Sequence, residues 1–201
     1  LDDMTTRVLQ EITAHAVQHA GAAGAERGGM PSCLDAIARS GAKTVVTSCA
    51  ECFRTLKADY ARDGSLPFEV VHSTVIIADF IKAGKIKFTK GLDKTLTYHD
   101  PCRLGRYEGI YDAPREILRA LAGDRFREME RIKGDALCCG VGNFSNCDAN
   151  TKFLQHDRLL EAQRAGAQVM LSACPKCRIH YGCYLDGRPV DARAALDLLP
   201  G

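Results

Sequence analysis

Leu137-Cys138-Cys139-Gly140 sets two adjacent cysteines before a glycine, and the rest of the chain is read outward from it. Cys102 lies upstream, and Cys174 and Cys177 form a CxxC pair downstream, so five thiols belong to one pattern. Adjacent cysteines can hardly close a relaxed disulfide with each other, because that bond needs Cβ vectors aimed at one another across a fixed separation. Both can bind metal. A CxxC turn likewise places two sulfurs on one small ion or cluster, and Gly140 lets the backbone approach closely or adopt φ > 0 beside a bulky inorganic group. Soft thiolates in this number select iron–sulfur clusters, zinc or copper(I) over harder cations.

The flanking sequence alternates strands and helices. Thr95 to Tyr98 reads as a strand that delivers His99-Asp100-Pro101-Cys102 at its C-terminal end, and Pro114 opens a helix carrying Ile117, Leu118 and Leu121 that stops at Gly123. Phe126 to Ile132 is expected as a strand leading into the cysteine pair. Ala149, Phe153 and Leu160 share a helix face up to Gly166, and Val169 to Ser172 is the strand that hands Cys174 and Cys177 to a closing helix.

Upstream the same texture recurs: a helix over Leu34 to Arg39 closed by Gly41, a strand over Lys43 to Thr47, then Cys49 and Cys52. Phe53, Leu56 and Tyr60 line one helix face; a strand over Phe68 to Val71 follows, and then a helix after Ser73 with an apolar stripe of Ile76, Ile77, Phe80 and Ile81. Strand, helix, strand, helix with short joints implies parallel strands and covering helices. Cysteines at strand C-termini lie where open α/β sheets place their ligands. Residues 5 to 20 form an expected amphipathic helix on which Leu9, Ile12 and Ala16 are apolar, with His15 and His19 four apart. Two histidines without a third ligand are read as solvated. Residues 21 to 31 are Gly- and Ala-rich, as in a linker.

Ser40 through Cys52 lines up with Ala165 through Cys177 at a constant offset of 125 residues. The expected fold is therefore α/β, with duplicated Rossmann-like units whose parallel sheets are covered by helices and related by a pseudo-twofold. The expected organisation is an N-terminal helix and linker over 1–31, a partial first repeat over 32–94 and a complete second repeat over 95–201. At that offset the partners of Cys138 and Cys139 would fall near Thr13 and Ala14, which are not cysteines. Cys49 and Cys52 are read as the remnant of a first set, which leaves open an incomplete second metal site, a dithiol or inert buried residues. Cys33, Cys147 and Cys183 are expected to be unliganded.

Composition narrows the function classes. With 27 Lys and Arg against 25 Asp and Glu, the formal net charge is +2, which lacks the basic excess of a nucleic-acid binder. No run of 18 apolar residues occurs, so no transmembrane helix is expected, and membrane contact would come only through a partner. Ten cysteines in CC and CxxC clusters, without a signal-peptide pattern, suit metal binding in a reducing cytoplasm. No GxGxxG follows a strand, so the phosphate cradle of a nucleotide-binding sheet is missing. The chain opens on Leu1 rather than methionine, which fits a fragment, a processed product or part of a longer polypeptide.

The cysteines and their neighbours carry a resemblance. Tyr98-His99-Asp100-Pro101-Cys102-Arg103-Leu104-Gly105-Arg106, Pro114-Arg115, Cys138-Cys139-Gly140 and Ser172-Ala173-Cys174-Pro175-Lys176-Cys177 resemble the cysteine-rich CCG domain of the heterodisulfide reductase B and D subunits. The iron–sulfur subunits of glycolate oxidase and anaerobic glycerol-3-phosphate dehydrogenase share that domain. The resemblance covers about residues 95 to 185, with residues 36 to 95 as a partial second copy. It implies a non-cubane [4Fe-4S] cluster held by Cys102, Cys138, Cys139, Cys174 and Cys177. It also implies an oxidoreductase subunit that passes electrons to a small disulfide, a thiol, a quinone or a flavin partner, supplied by other redox subunits carrying ferredoxin-type clusters or flavin.

The residues themselves leave zinc open as the alternative cofactor, in a scaffold that docks subunits without redox work. Tetrahedral zinc takes four thiolates, one fewer than are gathered here. His99, beside the ligand loop, is a candidate proton donor or hydrogen-bond partner of a cluster sulfur, or a structural strand cap. Arg103, Arg106 and Lys176 lie near the ligands, where they would lower thiolate pKa values, attract an anion, or face solvent. His180 is a reserve ligand.

Overall fold

The computed structural model describes residues 29–61, 64–89, 92–140, 149–182 and 191–194. The expected helix over 5 to 20 with His15 and His19, the linker before residue 29, and Cys147 and Cys183 lie outside the described residues. The described residues fall into two compact units that part between Ser73 and Thr74.

The first unit begins with helix α1 (Gly29–Arg39). It starts earlier than the expected Leu34, and Pro31 stands in its first turn, where a missing N–H leaves no intrahelical bond unmade. Strands β1 (Thr44–Thr47) and β2 (Glu69–His72) pair in parallel, with Thr44 opposite Glu69 and Thr47 opposite His72. Val45, Thr47, Val70 and His72 are buried while Thr44 and Glu69 are exposed, the period-two pattern of half-buried strands. Between them, helix α2 (Ala50–Arg54) runs into a π-helical turn (Thr55–Asp59), burying Phe53 and Leu56.

The second unit is built on a parallel sheet in the order β3 (Leu96–Tyr98), β4 (Val169–Ser172), β5 (Asp191–Ala194). β4 is central and every one of its residues is buried, as in a parallel strand covered on both faces. Helix α3 (Ser73–Lys82) buries the small side chains Thr74 and Ala78, one turn apart, and leaves Phe80 40% exposed. Its expected apolar stripe is therefore not sealed, because its close-packed face is the one made of small residues. Helix α4 (Asp112–Ala122) buries Ile117, Leu118 and Leu121 and ends before Gly123, as the spacing predicts.

Two sequence expectations need correction. Phe126 to Ile132 is not a strand: a single bridge joins Phe126 to Leu96, and Arg127 N donates to Leu96 O at 2.8 Å. β3 is only three residues long, and Glu128 and Arg131 in this segment turn their side chains to ionic partners on helices. Helix α5 (Ala149–Arg164) does not bury Phe153, which is 68% exposed. Its buried face is Gln155, Arg158, Leu159 and Ala162, joined by Glu161. That is helical spacing filled largely with polar groups, so a search for apolar periodicity selects the wrong stripe.

A buried polar network also lies at the end of β3. The buried Arg115 guanidinium donates to both carboxylate oxygens of Asp100, at 2.7 and 2.8 Å, to both of Glu128, at 2.7 and 3.1 Å, and to Tyr111 O at 2.9 Å. All five of its N–H groups are used. Burial alone would lower its pKa, but Asp100 and Glu128 hold it above the ordinary arginine value. Asp100 Oδ2 also accepts from Lys133 N at 2.9 Å. One carboxylate thus ties the end of β3, helix α4 and the loop before the cysteine pair. Removing one partner of a buried ion pair strands the other charge, so Arg115→Met is expected to destabilise the protein by about 3–5 kcal/mol in denaturant unfolding. A loss under about 1 kcal/mol would show that Asp100 is rescued by other partners.

Candidate metal centre

Parallel strands bring their C-terminal ends to the same edge of a sheet. β3 and β4 are neighbours, and the ladder runs one step beyond β3, where His99 N donates to Leu171 O at 2.8 Å. Cys102 and the pair Cys174 and Cys177 follow the ends of these two strands. Cys174 directly precedes helix α6 (Pro175–Gly182), and Cys177 lies within it.

The Cys138-Cys139 pair arrives on a third segment, an irregular loop. Arg106, on the Cys102 loop, donates to Gly134 O at 3.0 Å and to Ala136 O at 2.8 Å. Its role is therefore a strut between two ligand loops. Arg103 stacks over Tyr107, 5.0 Å from the ring centroid, and its charge lowers the pKa of Cys102 slightly against stronger opposing effects. His180 Nδ1 lies 2.6 Å from Cys139 O, which fixes the backbone of the pair from α6.

The five thiols form one continuous chain of contacts. Cys102 meets Cys138, Cys138 meets Cys139, Cys139 meets Cys177, and Cys177 meets Cys174. The eight described cysteines are outside disulfides. Cys139, Cys174 and Cys177 are buried, whereas Cys102 and Cys138 are half-buried and form the accessible side. Metal-capable atoms of His99, Cys139 and Cys177 all lie within 4.8 Å of one another.

The electrostatics match this crowding. Cys138 is pulled down to about 2, first by the Cys102 thiol and then by the Cys139 thiol, with Gly140 N donating to its sulfur at 3.3 Å. Cys102 is pushed far up by the same contact and by burial. Cys177 is likewise raised, by Cys139, by Cys174 and by burial. A metal group would supply the positive charge needed to deprotonate the rest. The donor set fits a thiolate-bound cluster: five sulfurs, a soft-ligand environment, and a buried side opposite an accessible one.

His99 is 1% exposed. Burial, and then the Arg158 guanidinium, lower its pKa to about 3. Its Nδ1 is 3.3 Å from Arg158 Nε and 3.3 Å from Tyr181 Oη, and the two rings meet edge to face at 5.1 Å. Arg158 also donates to Arg131 O at 2.6 Å and to Glu161, and Glu161 is shared with Arg131. Arg115, Arg158, Glu161 and Tyr181 were not singled out as functional from the sequence. The signal that could have found the second network was the spacing of Gln155, Arg158, Leu159 and Ala162.

In the first unit Cys49 precedes α2 and Cys52 lies within it, both buried. Burial raises the pKa of Cys33, and Cys33 and Cys52 both bear on Tyr60. Among the described residues, the trio of His99, Cys139 and Cys177 is the one group of three mutually close metal-capable side chains. Cys49 and Cys52 are not brought into another.

The cysteine-rich domain family CCG matches residues 96–182. The D subunit of the dihydromethanophenazine:CoB–CoM heterodisulfide reductase of Methanosarcina mazei is 42% identical over 159 residues, which is 77% of this chain and 38% of that protein. The "Probable iron-sulfur-binding oxidoreductase FadF" of Bacillus subtilis is 35% identical, over 67% of this chain and 19% of its own length. The EtfAB:quinone oxidoreductase of Syntrophomonas wolfei is 39% identical, over 54% of this chain and 15% of its own. The chain thus spans well under half the length of these relatives.

Gly140 supplies a test of the ligand loop. Its φ is +86°, and an added Cβ would meet Thr151 Cβ and Thr151 O at 3.2 Å and His180 Cε1 at 3.3 Å. Gly109, with φ +72°, has open space around the same position. Gly109→Ala should cost about 1–2 kcal/mol of backbone strain, and Gly140→Ala should cost more and displace the cysteine pair. Equal losses in denaturant unfolding would refute the close packing over the loop. Residues 96–182, with their five gathered cysteines, belong to the cysteine-rich CCG domain family.

Proposed function

We propose that the chain is an iron–sulfur redox component in which Cys102, Cys138, Cys139, Cys174 and Cys177 hold one cluster of non-cubane [4Fe-4S] type. The observation that carries this reading is the unbroken run of thiol contacts from Cys102 to Cys174 through three separate loops. When bound, such a cluster supplies one-electron transfer. The chain's own residues supply the ligands, bury three of them, and leave the Cys102 and Cys138 side for a reacting sulfur or a redox partner.

Reduction of a disulfide consumes two electrons and two protons and yields two thiols. The electrons would come from a ferredoxin-type cluster or flavin on another subunit. The relatives' names support both a disulfide and a quinone as acceptor: one belongs to a CoB–CoM heterodisulfide reductase and another is an EtfAB:quinone oxidoreductase. The disulfide reading is preferred, because the more similar relative carries it. A cytoplasmic location, with any membrane association through a partner, belongs to the same proposal and is supported by the clustered free thiols, which suit a reducing compartment.

A duplicated architecture belongs to the same proposal, with a partial copy over 32–94 and a complete one over 95–201. In its support, each unit runs parallel strand, CxxC, helix, parallel strand: β1, Cys49 and Cys52, α2, β2, and then β4, Cys174 and Cys177, α6, β5.

Anaerobic iron and acid-labile sulfide analysis with EPR tests the ligand set. About four irons and four sulfides per chain are expected, with absorbance near 400 nm. Cys139→Ala should abolish most of the iron and the signal. Survival of both in that variant would refute the assignment, and a colourless protein with one zinc would favour the scaffold reading.

A further inference from the structure

We propose that Arg158 is a positioning residue for the metal centre: its Nε–H, donated to His99 Nδ1, holds His99 as the Nε2–H tautomer, making that ring N–H a hydrogen-bond donor to sulfur of the bound group rather than a ligand of its iron. The inference rests on the iron–sulfur reading above.

A guanidinium has five donors and no acceptor, so the nitrogen facing it must offer a lone pair. That nitrogen is His99 Nδ1, 3.3 Å from Arg158 Nε. Tyr181 Oη approaches the same atom at 3.3 Å. A neutral imidazole then carries its proton on Nε2, and its one lone pair is already engaged. A ligand role would need a second lone pair that the ring does not have.

Arg158 is itself fixed, fully buried, by Arg131 O at 2.6 Å and by Glu161. Metal-capable atoms of His99, Cys139 and Cys177 lie within 4.8 Å of one another, which puts the His99 ring beside the buried half of the thiol set; with Nδ1 turned to Arg158 and Tyr181, the ring's other N–H is the one left to serve sulfur. Hydrogen bonds to cluster sulfur favour the more negative, reduced state and so raise the reduction potential.

The test uses the full chain, isolated anaerobically with its cluster, and compares wild type with His99→Leu, His99→Gln and Arg158→Gln. EPR-monitored redox titration should show His99→Leu shifted about tenfold toward the oxidised form, about 59 mV for a one-electron couple. His99→Gln, which keeps an N–H donor, should stay within about threefold of wild type, and Arg158→Gln should move in the direction of the leucine variant. Pulsed EPR of histidine-15N protein should show the weak coupling of a hydrogen-bonded nitrogen. Equal potentials in the wild-type, glutamine and leucine proteins, or a strong coupling from a directly bound nitrogen, would overturn the role of His99. These two readouts decide the matter even if Arg158→Gln does not fold. Absence of iron from the wild-type chain would overturn the reading of the site itself, and this role with it; iron present with unchanged potentials overturns this role alone.

Discussion

Five sulfurs drawn to one end of a small parallel sheet cannot all be thiolates on their own. Coulomb repulsion between like charges a few ångströms apart in a partly dry site is severe. A bound cation would relieve that repulsion, and the thiols of Cys102, Cys138, Cys139, Cys174 and Cys177, which bear on one another's ionisation, mark where it would be needed.

Convergence of the sulfurs depends on charges that lie beneath them. Three chain segments carry the five cysteines, and only two of them are strand ends fixed by ladder hydrogen bonds. The third, leading to Cys138 and Cys139, is irregular, and it is located by Asp100 through Lys133 N and by Arg106 through two carbonyls. Asp100 can take that part because Arg115 neutralises it with a bidentate contact. On the other side, Arg158 sits between His99 and Glu161. Buried ion pairs of this kind add little net stability compared with a well-packed apolar core, but they demand specific geometry. A site that must hold several loops in register benefits from that specificity more than from raw stability.

This division explains which parts of the protein were legible in the sequence. The strands over Thr44–Thr47 and Val169–Ser172 and the helix carrying Ile117, Leu118 and Leu121 follow from local patterns of apolar residues. The thiol set was legible because cysteine at those positions has few other uses. Helix α5 was misread because its inner face holds Gln155, Arg158 and Glu161, whose burial is possible only with partners far along the chain. The segment after Phe126 was misread as a strand for the same reason. Its Glu128 and Arg131 answer to Arg115, Asp157 and Glu161 rather than to a neighbouring strand. Periodicity reports what a residue prefers, whereas these residues are placed by who pairs with them.

The two units sharpen the point, because both present a CxxC whose first cysteine lies two residues after a parallel strand. In the first, Cys49 follows Thr47; in the second, Cys174 follows Ser172. The local module is therefore not what makes a metal centre. The second unit adds a neighbouring strand that delivers His99 and Cys102, an ion-tethered loop that delivers Cys138 and Cys139, and a buried arginine that orients the histidine. In the first unit the neighbouring strand β2 ends on the buried His72, which meets Phe53 edge to face, and among the described residues its cysteines gather into no metal-capable group of three. A CxxC at a strand end supplies two sulfurs, and the ionic tethers of the surrounding loops decide whether others arrive to meet them.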